Sequence, residues 1–178
     1  MGAASGAGDS AARSSGSGAG SSGSVLERDA IGALMADYVH LIDEDRLEEW
    51  IELFTDDCTY KILSRENVDL GYPLELMACN NKGMLRDRVV SLREANLYNL
   101  HTDKHILGAV RVHGCSDGVW SVQTNFSLYQ STTEGETDLF AVGTYHDKVV
   151  FDDGRPLFAE KIAVNDTFAV ARLLSTPI

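Results

Sequence analysis

Basic residues are scarce in this chain, and this scarcity limits the partners that it can bind. Its 178 residues include 15 Lys and Arg against 27 Asp and Glu, a formal net charge of −12 at pH 7. A protein that binds a nucleic-acid backbone needs a basic face. The chain also lacks any run of roughly 18 apolar residues, the length that a helix needs to cross a bilayer. We therefore expect neither a nucleic-acid partner nor a membrane partner.

Cysteine is also rare. The chain contains Cys58, Cys79 and Cys115, an odd number at wide spacings. Small secreted domains usually carry an even number of cysteines in a tight pattern. The first residues show no apolar stretch of the kind that a signal peptide needs. The three cysteines are therefore expected to be reduced thiols in a cytoplasmic protein.

Residues 1–24 have a composition of their own, since 21 of these 24 residues are Gly, Ala or Ser. Such a segment cannot bury enough apolar surface to offset the entropy lost on ordering. We predict a disordered Gly/Ser/Ala-rich tail over residues 1–24. Residues 25–178 are predicted to form a single domain, which is long enough for a substantial core.

Helical periodicity characterises the first part of this domain. Ser24 and Glu27 have the spacing of a capping box, which predicts a helix start at the end of the tail. Apolar residues then recur at helical spacing, at Ile31, Leu34, Met35, Tyr38, Leu41 and Ile42.

Further elements are predicted up to about residue 100. Asp45, with Glu48 three residues later, predicts a second helix start. Segment 64–80 contains Gly and Pro and is predicted to be a long loop. A third helix is predicted over residues 81–97.

The pattern then changes to the alternation typical of strands. One strand is predicted before this change, at residues 57–63, where two acidic residues follow the aromatic end of a helix. Four more are predicted, one containing Ile106, Val110 and Val112, and the others centred on 120–128, 139–150 and 158–164. Helices followed by an antiparallel meander indicate the α+β class. The helix–strand join at residues 53–60 favours a strongly bent antiparallel or mixed sheet wrapped round N-terminal helices to form a cone.

Motifs that bind metals are hard to find in the sequence. A Rieske iron–sulfur site needs two Cys and two His, commonly as Cys-x-His pairs. The residues two positions after the three cysteines are Tyr60, Asn81 and Asp117. His101 and His105, with Asp103 between them, are the best candidates for a mononuclear iron site. This stretch is placed at a helix–strand junction, and polar packing or subunit contact is the favoured interpretation.

Acid–base catalysis inside the cone is an alternative. The segment from Tyr38 to Ile62 resembles the start of ketosteroid isomerases, members of the nuclear transport factor two-like (cystatin-like) superfamily. Tyr38 stands where these enzymes place a tyrosine that donates to an enolate oxygen. Their general-base aspartate is replaced here by Ile62, which cannot accept a proton. A free-standing dehydratase- or isomerase-like enzyme that uses Asp43, His105 and His146 remains the second interpretation.

Residues 25–178 as a whole resemble the small, or β, subunits of Rieske non-heme iron aromatic-ring-hydroxylating dioxygenases. The resemblance rests on sequence blocks that are spread along the chain, at residues 50–60, 84–89, 92–98, 104–108, 140–148 and 160–166. The block at residues 92–98 and the Arg-Glu-Asn at 65–67 are most similar to subunits that act with aromatic carboxylates. Terephthalate dioxygenase and salicylate hydroxylase are examples.

The resemblance implies a specific assembly. A large subunit would carry the Rieske [2Fe-2S] cluster and the mononuclear Fe(II), and three large chains would join three small ones. A reductase, with or without a ferredoxin, would supply electrons from NAD(P)H for hydroxylation of an aromatic carboxylate such as terephthalate by O2. The small subunit would be structural. The resemblance transfers no catalytic, cofactor-binding or metal-binding residue to this chain. A binding or dimerisation module with no enzyme partner is a third interpretation.

Overall fold

The computed structural model describes Gly2 and residues 24–94, 100–167, 174 and 176–178. The predicted tail therefore lies outside the described residues, except for Gly2 and Ser24. The predicted end of the third helix, at residues 95–97, also lies outside them.

Four helices and seven strands are present in the described part of the chain. The helices are α1 (Val25–Asp43), α2 (Leu47–Trp50), α3 (Arg65–Leu70) and α4 (Lys82–Glu94), and a 3-10 turn (Ile51–Leu53) follows α2. The strands are β1 (Phe54–Ser64), β2 (Glu75–Cys79), β3 (His101–Leu107), β4 (Arg111–Ser116), β5 (Val119–Thr132), β6 (Thr137–Asp152) and β7 (Arg155–Asn165).

The strands form a single mixed sheet in the order β2-β1-β7-β6-β5-β3, and β4 also pairs with β5. The pairing of β1 with β7 is parallel, and the other pairings are antiparallel. Helix α1 contacts both the edge strand β3 and the interior strand β7, so the sheet curls round this helix. The predicted α+β class and the cone with a bent, mixed sheet are confirmed.

The predicted first helix is confirmed in detail. The Ser24 side chain accepts from the Glu27 main-chain N–H, and the Glu27 carboxylate accepts from the Ser24 N–H, as in a capping box. Its buried stripe includes five of the six predicted apolar residues, and Leu41 is half-buried. The predicted start of the second helix is wrong in position, because Asp45 has a left-handed backbone (φ 56°). Arg46 is the residue that precedes α2, and its side chain makes no capping hydrogen bond.

The predicted loop at 64–80 is wrong, because the segment contains α3 and β2. Ser64 caps α3 by accepting from the Asn67 N–H at 3.2 Å, and Gly71 ends it in the left-handed region (φ 69°). Strand β2 then pairs with β1 as the edge of the sheet. Both elements are too short to show a clear period, and α3 has six residues and β2 five.

Two other predictions concern the region of β3. The single strand predicted through Ile106, Val110 and Val112 is divided between β3 and β4, which pair with different halves of β5. Between them, the Gly108 N–H donates to the Asn125 carbonyl oxygen at 2.8 Å. The stretch from His101 to His105 is a strand, not a helix–strand junction, so every second side chain along it points inward.

The core is rich in aromatic rings that join the helices to the sheet. Tyr38 of α1 contacts Tyr145 of β6 and Phe158 of β7 edge-on, with ring centroids 5.8 Å and 5.5 Å apart. Trp50 packs against Phe54 at 5.0 Å. Edge-to-face pairs of this kind add to the free energy gained by burial.

Gly143 allows β6 and β7 to approach closely. A Cβ atom at this position would lie 2.1 Å from the carbonyl oxygen of Val164 and 3.0 Å from the ring of Phe126. The contact at 2.1 Å is with main chain, so it cannot be relieved by rotating a side chain.

We predict that Gly143→Ala lowers the free energy of unfolding by about 1–3 kcal/mol, because the added methyl group forces the two strands apart. Gly32→Ala is the control, since a Cβ there meets nothing within 4 Å on helix α1. This control should raise stability by about 0.5–1 kcal/mol through helix propensity. Urea denaturation measures both values, and equal effects of the two substitutions would contradict the prediction.

Candidate functional site

Asp43 and His105, two of the three predicted acid–base residues, form a buried pair. The Asp43 carboxylate lies 2.6 Å from Nδ1 of His105 and also accepts from the His105 main-chain N–H at 3.1 Å. The Lys104 amine lies 3.2 Å from the same carboxylate. Burial acts to raise the pKa of Asp43, but the hydrogen bonds from His105 and Lys104 outweigh it and lower the pKa. The pair joins the last residue of α1 to the edge strand β3.

His146 lies apart from this pair. It projects from the outward face of β6, and the hydroxyl of Thr144 and the side chain of Arg65 line the same surface groove. Partial burial and the neighbouring charges of Arg65 and His113 lower its pKa. The structure therefore brings Asp43 and His105 together and leaves His146 on the opposite face of the sheet.

His101 and Asp103 belong to a second polar cluster on β3. The Asp103 carboxylate accepts from the Gln130 amide at 3.1 Å and from the Thr176 hydroxyl at 3.0 Å. Nε2 of His101 lies 3.5 Å from the same carboxylate. These contacts fit the predicted polar packing. Within the described ranges, no three His, Cys, Asp or Glu side chains are arranged to hold a metal ion.

A buried ion pair, Asp147 with Lys161, was not predicted from the sequence. The Lys161 amine lies 3.1 Å from the Asp147 carboxylate, and both side chains are fully buried. The same amine lies 3.8 Å from the ring centroid of Tyr145, 4.1 Å from that of Tyr38 and 4.6 Å from that of Phe158. Lys161 is therefore a cation enclosed by three rings and one carboxylate.

Burial controls the ionisation of this pair. Loss of water raises the pKa of Asp147 to about 6, although Lys161 acts to lower it, and the same loss of water lowers the pKa of Lys161. Since the folded-state pKa of Asp147 lies above the ordinary value of 3.8, folding takes up a proton between the two values. The stability that this carboxyl contributes is thus present below the ordinary value and lost as pH rises through about 6.

Alternation along the strands contained the signal for this pair. The sequence places Tyr145 and, two residues later, Asp147 on one face of β6, and His146 on the other face. In the sheet, Asp147 pairs directly with Lys161 of β7. A charged residue in an amphipathic strand is usually assigned to solvent, and no local pattern identifies its partner 14 residues away.

The hydroxyl of Tyr38, the residue that resembles a catalytic tyrosine, is hydrogen-bonded inside the cone. Its hydroxyl donates to the main-chain oxygen of Ile178 at 2.6 Å and lies 3.5 Å from the Tyr60 hydroxyl. Burial raises the pKa of Tyr38 well above its ordinary value and raises that of Tyr60 to about 12. Ile62, which stands where the isomerases have their general base, is completely buried in the apolar core. The cavity that Trp50, Tyr60 and Pro177 help to line here is only about 10 Å³.

The three cysteines are unbridged. Cys58 and Cys79 are buried, and Cys115 is half-buried. Burial raises the pKa of the Cys58 thiol to about 11 and also raises that of Cys79, so both are protonated at pH 7.

Apolar side chains also lie exposed on the outward face of the sheet. We call Ile106, Tyr129, Leu139 and Val142 the outer-face patch, and between 36% and 54% of each is exposed. They are neighbours through the register of the strands, since Ile106 and Val142 flank Ser127, and Tyr129 pairs with Leu139. In the described stretches 121–129 and 139–148, the outward side chains include no Asp or Glu. On a chain with a net charge of −12, this face is unusual.

A second exposed apolar group lies at the opposite edge of the sheet. We call it the edge patch, and it comprises Val68, Leu70, Tyr72, Leu74 and Leu76. Unlike the outer-face patch, it is interspersed with exposed acidic residues, including Asp69 and Glu75. Among the helices of the described residues, none is long and apolar enough to cross a membrane.

Comparisons with known proteins agree on one group of relatives. The sequence pattern of the SnoaL-like domain matches residues 23–160. The anthranilate 1,2-dioxygenase small subunit of Burkholderia cepacia is 42% identical over 79% of this chain and 88% of its own length. A terephthalate 1,2-dioxygenase terminal oxygenase component subunit beta of Comamonas is 36% identical over 83% of this chain and 96% of its own length.

Solved structures that share this fold include dioxygenase beta subunits. A beta subunit assigned to an aromatic-ring-hydroxylating dioxygenase of Novosphingobium aromaticivorans superposes with a TM-score of 0.79. It is 38% identical and covers 86% of this chain and 97% of that chain. The beta subunit of benzoate 1,2-dioxygenase from Burkholderia mallei shares the fold, with a TM-score of 0.64 over 76% of this chain and 88% of that chain at 17% identity.

The buried pair yields a prediction for stability. Lys161→Met should lower the free energy of unfolding by about 3–5 kcal/mol, because it leaves the Asp147 carboxylate buried without its cation. The double variant Asp147→Leu with Lys161→Met should recover most of this loss, since an apolar pair of similar volume avoids the desolvation cost. Denaturation at pH 7.5, above the pKa of about 6 that Asp147 has beside Lys161, measures both. Equal destabilisation by the single and double variants would contradict this account of the pair.

Proposed function

Because the chain belongs to the SnoaL-like family, and within it to the small subunits of aromatic-ring-hydroxylating dioxygenases, we propose that it is the structural small subunit of a terminal oxygenase. The observation that supports this most directly is the identity of 42% with a dioxygenase small subunit over most of both chains. In this proposal the chain contributes to an oxidoreductase complex without carrying a catalytic, cofactor-binding or metal-binding residue of its own.

The interior of the cone supports the non-catalytic role. The hydroxyl of Tyr38 is bonded to Ile178 and is not free to donate to a substrate. His146, the third residue of the dehydratase-like alternative, is on the other face of the sheet. The described residues thus give the alternative neither a free proton donor at Tyr38 nor a complete acid–base set.

The cofactors are assigned to a large-subunit partner. A Rieske [2Fe-2S] cluster and a mononuclear Fe(II) there would supply electron transfer and oxygen activation. None of the three cysteines is followed two positions later by a histidine, as the Cys of a Rieske pair commonly is. A reductase, with or without a ferredoxin, would deliver electrons to the complex, and the unbridged cysteines suit a cytoplasmic location.

An aromatic carboxylate is the proposed substrate class of the complex. Two relatives act on anthranilate and terephthalate according to their names, and both compounds are aromatic carboxylates. The ring itself would be recognised by the large subunit.

The outer-face patch is the proposed contact with the large subunit. Burying a carboxylate at an interface without a partner is costly, and this face avoids that cost along residues 121–129 and 139–148, whose outward side chains include no acid. Its apolar residues would form the centre of the contact, and a permanent interface commonly buries above about 2,000 Å² in all. We propose three large and three small chains, in a closed ring that uses contacts between unlike faces.

Assembly provides a test of the partner and of the surface. The co-expressed pair should give a light-scattering mass that fits three large plus three small chains. Leu139→Glu with Tyr129→Glu should abolish co-purification, since it brings two charges into the contact. Leu74→Glu in the edge patch is the matched control and should leave the mass unchanged. A trimer of large chains alone with full activity would refute the proposed function, and loss of assembly only in the Leu74 variant would move the contact to the edge patch.

Turnover provides a test of the structural role. His105→Ala should lower the stability of the chain by about 1–3 kcal/mol, because Asp43 loses a buried hydrogen-bond partner. Turnover per intact complex should stay within about twofold of the unsubstituted complex, which corresponds to about 0.4 kcal/mol in the activation free energy. The measurement is product formation normalised to assembled complex and to iron. Loss of turnover with unchanged assembly and iron content would show that His105 takes part in the reaction.

A further inference from the structure

A groove lies beside the outer-face patch, where helix α3 packs against β1 and β7. Its volume is about 450 Å³. Val142 of the patch and Thr144 of the groove are successive outward residues of β6, so the groove continues the surface that we assign to the large subunit. This outward groove is separate from the interior of the cone.

The groove combines apolar groups with hydrogen-bond donors. Its apolar lining includes Ile162 and Val164 of β7. The Arg65 guanidinium, the Gln123 amide and the His146 imidazole lie in the same lining. A side chain that has an aliphatic stem and an acceptor at its end can use both kinds of group.

These donors are only partly used within the described part of the chain. Arg65 donates to the Asp166 carboxylate through Nε and Nη2, and its Nη1 has no described partner. The Gln123 carbonyl oxygen lies 3.1 Å from Nε2 of His113, which leaves its amide nitrogen. Among the described residues, none makes a hydrogen bond with the His146 imidazole. A partner can therefore bind these groups without breaking an existing contact.

The charges around the groove favour an anion. The positive charges of Arg65 and His113 both act to lower the pKa of His146. The titratable outward side chains of residues 139–148 are His146 and Lys148, and both are basic. Asp69 is the one acid among the described residues that line the groove, and it opposes this preference.

We propose that the groove receives a carboxylate side chain, Asp or Glu, of the large subunit. The carboxylate accepts from Arg65 and His146, and its methylene groups pack against Ile162 and Val164. Charge-assisted hydrogen bonds need a defined geometry, so this contact sets the register between the two chains more sharply than apolar packing does. The inference rests on the proposed function and adds to it the chemistry of the partner's surface.

Competition for a limiting amount of large subunit tests the proposal. The large subunit is co-expressed with the unsubstituted small chain and one variant, distinguished by tags of different mass. Mass spectrometry of the purified complex gives their ratio, normalised to the soluble amount of each chain. The variants concern exposed side chains, and melting curves check that they fold.

The two substitutions of His146 separate a polar contact from an apolar one. His146→Leu should be incorporated about fivefold less than the unsubstituted chain, because one hydrogen bond to the carboxylate is lost. His146→Gln retains a donor and should stay within about twofold. If only apolar packing occurred here, His146→Leu would compete at least as well as the unsubstituted chain, and this result would overturn the proposal.

Asp69→Asn should have the opposite effect. Removal of this negative charge from the groove should raise incorporation about twofold. Asp37→Asn is the matched control, since it removes the same charge from an exposed position on α1 and should leave the ratio unchanged. Unchanged or lower incorporation of Asp69→Asn would overturn the assignment of an anion to the groove.

Failure of this proposal can be told apart from failure of the proposed function. If Leu139→Glu with Tyr129→Glu prevents assembly while the His146 and Asp69 variants compete normally, the large-subunit contact stands and the carboxylate in the groove is refuted. If the unsubstituted chain forms no complex with the large subunit, the proposed function fails and this inference fails with it.

Discussion

The buried amine of Lys161 connects the parts of the cone to one another. It projects from β7, pairs with Asp147 of β6 and lies against the ring of Tyr38 on α1. A buried cation needs a carboxylate and polarisable rings around it. The sheet and α1 surround the Lys161 amine with these groups in one relative position. The position of Tyr38 then determines where its hydroxyl meets Ile178. The packing of the closed interior thus depends on the buried charge of Lys161. A larger core made of apolar residues would not need such a charge.

The same arrangement separates the two faces of the sheet by chemistry. Inward residues of β3, β6 and β7 form polar clusters whose members are mostly bonded to one another, as with Asp43 and His105. The outward side chains of residues 121–129 in β5 and 139–148 in β6 include exposed apolar groups and no acid. A subunit that supports a catalytic partner needs a rigid body and a contact surface, and the two faces supply these separately.

Much of the fold could be predicted from the sequence, because α1, α4 and the long strands have clear periods and the capping box at Ser24 is local. The dioxygenase small-subunit family was also accessible, through sequence blocks spread along the chain. Elements α3 and β2 were not, since six and five residues are too few for a period to show. The Asp147–Lys161 pair and the contact of Ile178 with Tyr38 were missed for another reason. Each depends on a partner that only the folded sheet brings near, and the local sequence does not identify that partner.

The parallel pairing of β1 with β7 has a consequence for how the protein is made. Residues 59–64 of β1 find their partners at residues 160–165 of β7, about a hundred positions later. During synthesis β1 leaves the ribosome long before that partner, with one of its hydrogen-bonding edges open. Contacts so distant along the chain slow folding, and an open strand edge invites pairing with other chains. Nascent chains of this protein are therefore exposed to aggregation until the last strand emerges, and chaperones that shield strand edges should matter most during that interval.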